Sequence, residues 1–208
     1  MSRPLVSGSD GAAPEAPDRA TRLRALAAEL KVDRSIVLVG MPGAGKTAIG
    51  RRAAQALDLP FKDADSEIEA AAGRTIPEIF AERGESDFRR GERLVIARLI
   101  RKDPPLVLAT GGGAYMNAET RALLKEMAVT VWLRADFEVL LRRVERKTHR
   151  PLLQADVRGK LARLMEERHP VYAGADITVD SGAGPHSAAV ESVLTGLKPY
   201  FGADRTAA

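Results

Sequence analysis

The chain has 208 residues, 45% of them hydrophobic and 29% charged, with a net charge of +4 and no cysteine. That length suits one well-buried core, and the longest apolar runs, such as Ile36 to Val39 and Leu106 to Ala109, fall far short of the roughly 20 residues that a membrane-spanning helix needs. Acidic and basic residues are interspersed and no stacking aromatics accompany the arginines, which argues against nucleic acid as a partner; with no secretory apolar segment, the expected compartment is the cytoplasm.

Residues 1–18, rich in Gly, Ala, Pro and Ser, read as a disordered tail. Residues 19–33 form a helical extension in which Leu23, Leu26, Ala27 and Leu30 recur at helical spacing. From residue 34 to residue 200, short β-rich apolar runs alternate with longer helical patterns, and residues 201–208 read as a C-terminal tail. Strands are expected at Ser35 to Val39, near Phe61 and Lys62, and at Leu106 to Ala109, Val129 to Leu133 and Asp176 to Val179. Helices are expected at Lys46 to Leu57, Asp65 to Ala72, Ile76 to Arg101, Ala118 to Met127, Phe137 to Arg146, Arg158 to His169 and Ala188 to Leu197. This alternation predicts an α/β fold, a three-layer α/β/α sandwich around a five-stranded parallel sheet.

Directly after the first strand and before the first long helix stands Gly40-Met41-Pro42-Gly43-Ala44-Gly45-Lys46-Thr47, the G-x-x-x-x-G-K-[ST] phosphate loop, with Ala48 following it. Its backbone N–H groups and the helix N-terminus cradle phosphates, Lys46 reaches the β- and γ-phosphates, and the Thr47 hydroxyl is offered to Mg²⁺. ATP binding follows, but the acceptor does not.

Past the second strand, Asp63 and Asp65 flank Ala64. At a strand-like spacing both side chains project to one side, one toward a metal shell and the other toward an acceptor hydroxyl as general base; an N-cap role is the plainer alternative. Gly111-Gly112-Gly113 follows the third strand, where it suits either close backbone approach of a ligand or a simple turn. Arg89 either pairs with Glu92 on a helix surface or clamps a substrate carboxylate in bidentate fashion. The cationic run from Arg142 to Arg150 reads as a solvated helix face or as a mobile arginine-bearing lid over about residues 145–160. Arg168 sits at a helix end, where it can satisfy terminal carbonyls. His149 and His169 have no carboxylate partner at a telling spacing, and Trp132 reads as core.

Taken in order, Gly43-Ala44-Gly45-Lys46-Thr47, Asp63-Ala64-Asp65, Ile79-Phe80, Gly84-Glu85, Phe88-Arg89-Arg90-Gly91-Glu92, Gly111-Gly112-Gly113, Arg150-Pro151-Leu152-Leu153 and Arg168-His169-Pro170-Val171-Tyr172 resemble the shikimate kinase family. The resemblance covers nearly all of Ser35 to Leu197. It implies a P-loop kinase fold with a mobile lid, ATP as phosphoryl donor with Mg²⁺, shikimate as acceptor, and a monomer. It further implies that Asp65 contacts the acceptor hydroxyls, that Arg89 and Arg168 hold the shikimate carboxylate, and that Gly112, between Gly111 and Gly113, donates from its backbone. Asp63 would lie near Mg²⁺ through water, Arg150 on the ATP phosphates and Arg143 near adenine. Ser181-Gly182-Ala183-Gly184-Pro185 departs from the family, whose members often carry a basic residue before that proline. A kinase acting on gluconate or on a nucleoside monophosphate, and a nucleotide-driven switch without catalysis, are the rival readings.

Overall fold

The computed structural model describes residues 18–102, 105–147, 157–182 and 184–202. Five strands, β1 (Ser35–Val39), β2 (Phe61–Asp63), β3 (Val107–Ala109), β4 (Ala128–Arg134) and β5 (Ile177–Asp180), form one parallel sheet in the order β2-β3-β1-β4-β5. The burial of each strand follows from its place. All five residues of central β1 are buried, as a strand covered on both faces requires, whereas edge strand β5 alternates, with Ile177 and Val179 inward and Thr178 and Asp180 outward.

The helices are α1 (Arg19–Ala28), α2 (Lys46–Leu57), α3 (Ala64–Ala72), α4 (Ile76–Lys102), α5 (Ala118–Met127), α6 (Phe137–Lys147), α7 (Val157–Tyr172) and α8 (His186–Phe201). Helix α2 lies so close to the sheet that a methyl group on Gly50 would stand 2.7 Å from Leu38 Cδ1 and 2.9 Å from Phe61 Cε2. Helix α4 is longer than one straight rod, for Gly84 interrupts it with φ 75° and ψ 176°, a conformation that glycine adopts readily. On both sides of that kink, α4 packs with α3 around a small second core of Ile68, Ile79 and Phe88, backed by Ile76, Phe80 and Val95, the last of which also touches the main core around the sheet.

Some expected boundaries move. Residues 1–17 of the expected tail lie outside the described residues, but Asp18 belongs to the fold: its Oδ1 accepts from the Thr21 amide at 2.7 Å and caps α1. The helical extension is joined to the domain at Leu30, which bridges to Gly202, while the Lys31 amide donates to Phe201 O at 2.8 Å. Phe201 is therefore core, 1% exposed, rather than the start of a tail. Most of the expected lid, residues 148–156, lies outside the described residues, and its flanks are the end of α6 and the start of α7.

Register decides where the chemistry gathers. Ala109 of β3 pairs with Leu38 of β1 on one side and Asp63 of β2 on the other, so the loops leaving these three strands emerge side by side at the carboxyl edge.

Candidate active site

That edge opens into a cavity of about 1090 Å³ lined by the phosphate loop, Asp63, Asp65, Thr110, Gly111, Gly112, Arg143 and Pro185 among others. Its floor is the loop itself. Gly45 takes φ 92° as the N-cap of α2 and has no side chain to satisfy the first-turn amides, which leaves them available to an anion. Lys46 Nζ donates to Gly40 O at 2.8 Å and Met41 O at 3.0 Å, bracing the loop across its mouth. Thr47 Oγ1 donates to Asp63 Oδ2 at 2.8 Å. The other oxygen of Asp63 accepts from the Asp65 amide at 3.2 Å, so Asp63 is also the N-cap of α3. One oxygen of Asp63 thus caps α3, as the plainer alternative has it, while the other meets Thr47 of the phosphate loop.

Asp65 is not placed by strand pleating, as the spacing suggested. Strand β2 ends at Asp63, and Asp65 projects from the first turn of α3. Burial raises its pKa first, and the charge of Asp63 adds to this, against the opposing pull of Lys46 and Arg89.

The three glycines after β3 are where the separate pieces meet. A methyl group on Gly111 would stand 2.8 Å from both Asp65 Oδ1 and Glu92 Oε1. One on Gly112 would stand 3.1 Å from Pro42 Cδ of the phosphate loop and 3.2 Å from Arg168 Nη1, and one on Gly113 would lie 2.6 to 2.7 Å from the Arg89 guanidinium. A side chain on Gly111 or Gly113 would press on a carboxylate or a guanidinium, so the turn is held closely by the protein's own charged side chains. Helix α7 brings Arg168 to this spot, and one turn later Tyr172, whose buried hydroxyl donates to Gly112 O.

Arg89 Nη1 donates to Glu92 Oε2 at 2.8 Å and Nη2 to Glu85 Oε1 at 3.3 Å. Burial works against its charge, but Glu92 and Glu85 outweigh this and raise its pKa. The pair is not the surface contact that the spacing allowed, because Glu92 is only 2% exposed. Glu92 Oε1 is buried without a hydrogen-bond partner among the described residues and faces the same Gly111 space as Asp65. Its pKa is raised, first by burial and also by Asp65, while Arg89 and Arg168 pull it down. Two carboxylates and two guanidiniums therefore ring a patch where an anionic acceptor bearing hydroxyls can sit.

At the opposite end, Arg143 of α6 donates to Gly43 O at 3.2 Å, Ser181 O at 3.0 Å and Gly182 O at 2.6 Å, tying the phosphate loop to the chain after β5. Within the loop Ala44 is buried, and Ala48 lines the cavity. Arg150, His149 and the Pro151-Leu152-Leu153 run lie outside the described residues. His169 packs edge-on against Trp132 with ring centroids 5.1 Å apart, and Trp132 is 6% exposed. Sequence reasoning left two residues unread: Glu92, buried against Gly111 as the partner of Arg89, and His186, which begins α8 and lines the cavity.

The arrangement suits Mg²⁺. Thr47 and Asp63 offer oxygen donors within one hydrogen bond of each other, and the described residues contain no group of three His, Cys, Asp or Glu side chains that could hold an ion alone. A hard cation that keeps water and phosphate ligands fits such a partial set.

A family model described as shikimate kinase matches residues 42–198. A curated shikimate kinase of Caulobacter vibrioides is 59% identical over 170 residues, 79% of this chain and 82% of that protein. One of Bradyrhizobium diazoefficiens is 53% identical over 201 residues, 96% of this chain and 94% of that protein. Among solved structures, shikimate kinase of Acinetobacter baumannii in complex with shikimate superposes with a TM-score of 0.73 at 39% identity, covering 82% of this chain and 95% of that one. A gluconokinase of Sinorhizobium meliloti, at 21% identity and a TM-score of 0.58, shares the fold.

Proposed function

We propose, from the premise that this chain belongs to the shikimate kinase family and is an ATP-dependent shikimate kinase, the following division of labour among its residues. The reaction is transfer of the γ-phosphoryl group of ATP to the 3-hydroxyl of shikimate. Asp65 orients that hydroxyl and accepts its proton as the phosphorus–oxygen bond forms. Its raised pKa suits a general base, because a carboxylate with greater affinity for the proton takes it more readily.

Arg89 and Arg168 hold the shikimate carboxylate on the far side of the glycine turn, and the Gly112 amide donates to the bound acceptor. Lys46 and the loop amides neutralise the β- and γ-phosphates, and Arg150 caps them from the lid, a role that rests on its motif. Phosphoryl transfer draws most of its acceleration from such positioning and charge neutralisation. Mg²⁺ held by Thr47 and, through water, by Asp63 would supply further charge neutralisation on the phosphates. The cysteine-free composition fits the cytoplasm, and the family reading carries action as a monomer.

The observation that carries this reading is the glycine turn, whose three Cα atoms lie against Asp65, Arg168 and Arg89 in succession beside Pro42. A coupled assay of ADP release tests it. Turnover with shikimate and none with gluconate or nucleoside monophosphates is expected; ADP release that shikimate does not stimulate would overturn it.

A further inference from the structure

The cavity has two ends of different chemistry. Asp65, Gly111 and Gly112 mark the acceptor end, while Arg143, Gly184, Pro185 and His186 mark the other. The second end continues into a slot of about 100 Å³ lined by Ile49, Arg143, Ser181, Gly182, Pro185 and His186. A triphosphate whose γ-group points at Asp65 must send its α-phosphate, ribose and base toward that slot. His186 stands where the one space passes into the other.

Its imidazole is aimed at the phosphate loop, for Nε2 lies 3.6 Å and Cδ2 3.7 Å from where a methyl group on Gly45 would stand. Arg143 is committed to three backbone carbonyls, whereas His186 makes no hydrogen bond among the described residues. It is also the first residue of α8, whose N-cap, Pro185, has no side chain to satisfy the first-turn amides. The partial positive charge of that 16-residue helix therefore opens on the same side as the imidazole.

We propose that His186 is a nucleotide-contacting residue that hydrogen-bonds the ribose and α-phosphate portion of ATP and contributes to affinity for the nucleotide but not for the acceptor. The proposal rests on the kinase reading and deepens it. The charged groups around the imidazole are Arg51 and Arg52 on α2, Arg143 and Arg146 on α6, and Asp180 at the end of β5, the last engaged by Arg134; behind it, Arg19 of α1 donates to Ser187. Burial, Arg52 and Arg143 hold the imidazole below its ordinary pKa, so at neutral pH it is uncharged. A bound polyphosphate offsets those cations and favours protonation. Nucleotide affinity should therefore tighten as pH falls below neutrality.

The test is steady-state kinetics with ATP and shikimate, with calorimetric titration of ADP, on wild type, His186→Ala and His186→Gln between pH 6 and pH 8. His186→Ala should raise the KM for ATP and the Kd for ADP by roughly twofold to tenfold, the range of a single hydrogen bond. The shikimate KM, kcat and thermal midpoint should stay at their wild-type values. His186→Gln keeps a donor, so it should recover part of the affinity at pH 8 while lacking the wild-type tightening toward pH 6. Unchanged ATP KM and ADP Kd in both variants across this range would overturn the proposal, as would a loss that falls equally on shikimate. Absence of shikimate-dependent turnover in the wild type would instead defeat the kinase reading, and the ADP titration would still decide the His186 contact.

Discussion

Burial and the neighbouring Asp63 lift the Asp65 pKa, and that shift has a kinetic consequence. A general base works only when ionised, so activity falls as pH drops through its folded-state pKa. The acid limb of kcat/KM for shikimate should accordingly lie above pH 3.8, the ordinary value for this carboxyl group, and should vanish in Asp65→Asn along with most of the activity. For stability the sign is opposite. A carboxyl whose folded pKa is raised is most favourable to folding when protonated, so Asp65 and Glu92 each cost stability as pH rises from the unfolded to the folded value. Asp65→Asn should then melt no lower than wild type at pH 7.

The glycines give a second prediction at this scale. Gly113→Ala would place a methyl group inside the space of the Arg89 guanidinium, so it should raise the shikimate KM at least tenfold with little effect on the ATP KM. An unchanged shikimate KM would remove Arg89 from the acceptor site. Glu92→Gln keeps the shape beside Arg89 but removes its buried countercharge, worth roughly 1.5–3 kcal/mol for a hydrogen bond to a charged group. It should act through the shikimate KM, and Glu92→Ala should be worse. The buried role of Glu92 was hidden in the sequence because three-residue spacing on a helix is equally that of a solvent-exposed ion pair. Nothing local says which helix face the glycine turn will cover.

Among the elements, the strand, turn and helix of the phosphate loop were readable, since they are dictated by one ligand and follow one another without a break from Ser35 to Leu57. The Asp63-Ala64-Asp65 step was expected to turn both carboxylates to one side by strand pleating, whereas Asp65 stands on the first turn of α3. A three-residue strand carries too little alternation to show where it stops, so the transition into α3 after Asp63 could not be placed. Helix α4 likewise reads as one periodic stretch, although Gly84 bends it. Tight packing of α2 against the sheet gives a prediction of stability rather than chemistry. Gly50→Ala would press a methyl group into Leu38 and Phe61, and overpacking of this kind costs about 1–3 kcal/mol. Its thermal midpoint should drop while the KM values of the surviving enzyme stay near wild type; a Gly50→Ala protein as stable as wild type would contradict the close approach.

At the scale of the whole molecule, three distant stretches of chain reach one place because the strand order brings β1, β2 and β3 together, and α7 returns from the other half of the sheet to lay Arg168 and Tyr172 against Gly112. The order of motifs along the chain suggested this convergence through a family likeness; it is the parallel register at Ala109 that brings it about physically. The nucleotide and acceptor ends then share one cavity, with the phosphate loop between them. Asp65 is the hinge of the account, being the group that must face the attacking hydroxyl. Kinetics of a folded Asp65→Asn enzyme with saturating ATP and shikimate tests it most directly. Loss of kcat by about 10²–10⁴, the usual contribution of a positioned general base, with ADP affinity preserved, is the predicted result; turnover within a few-fold of wild type would contradict it.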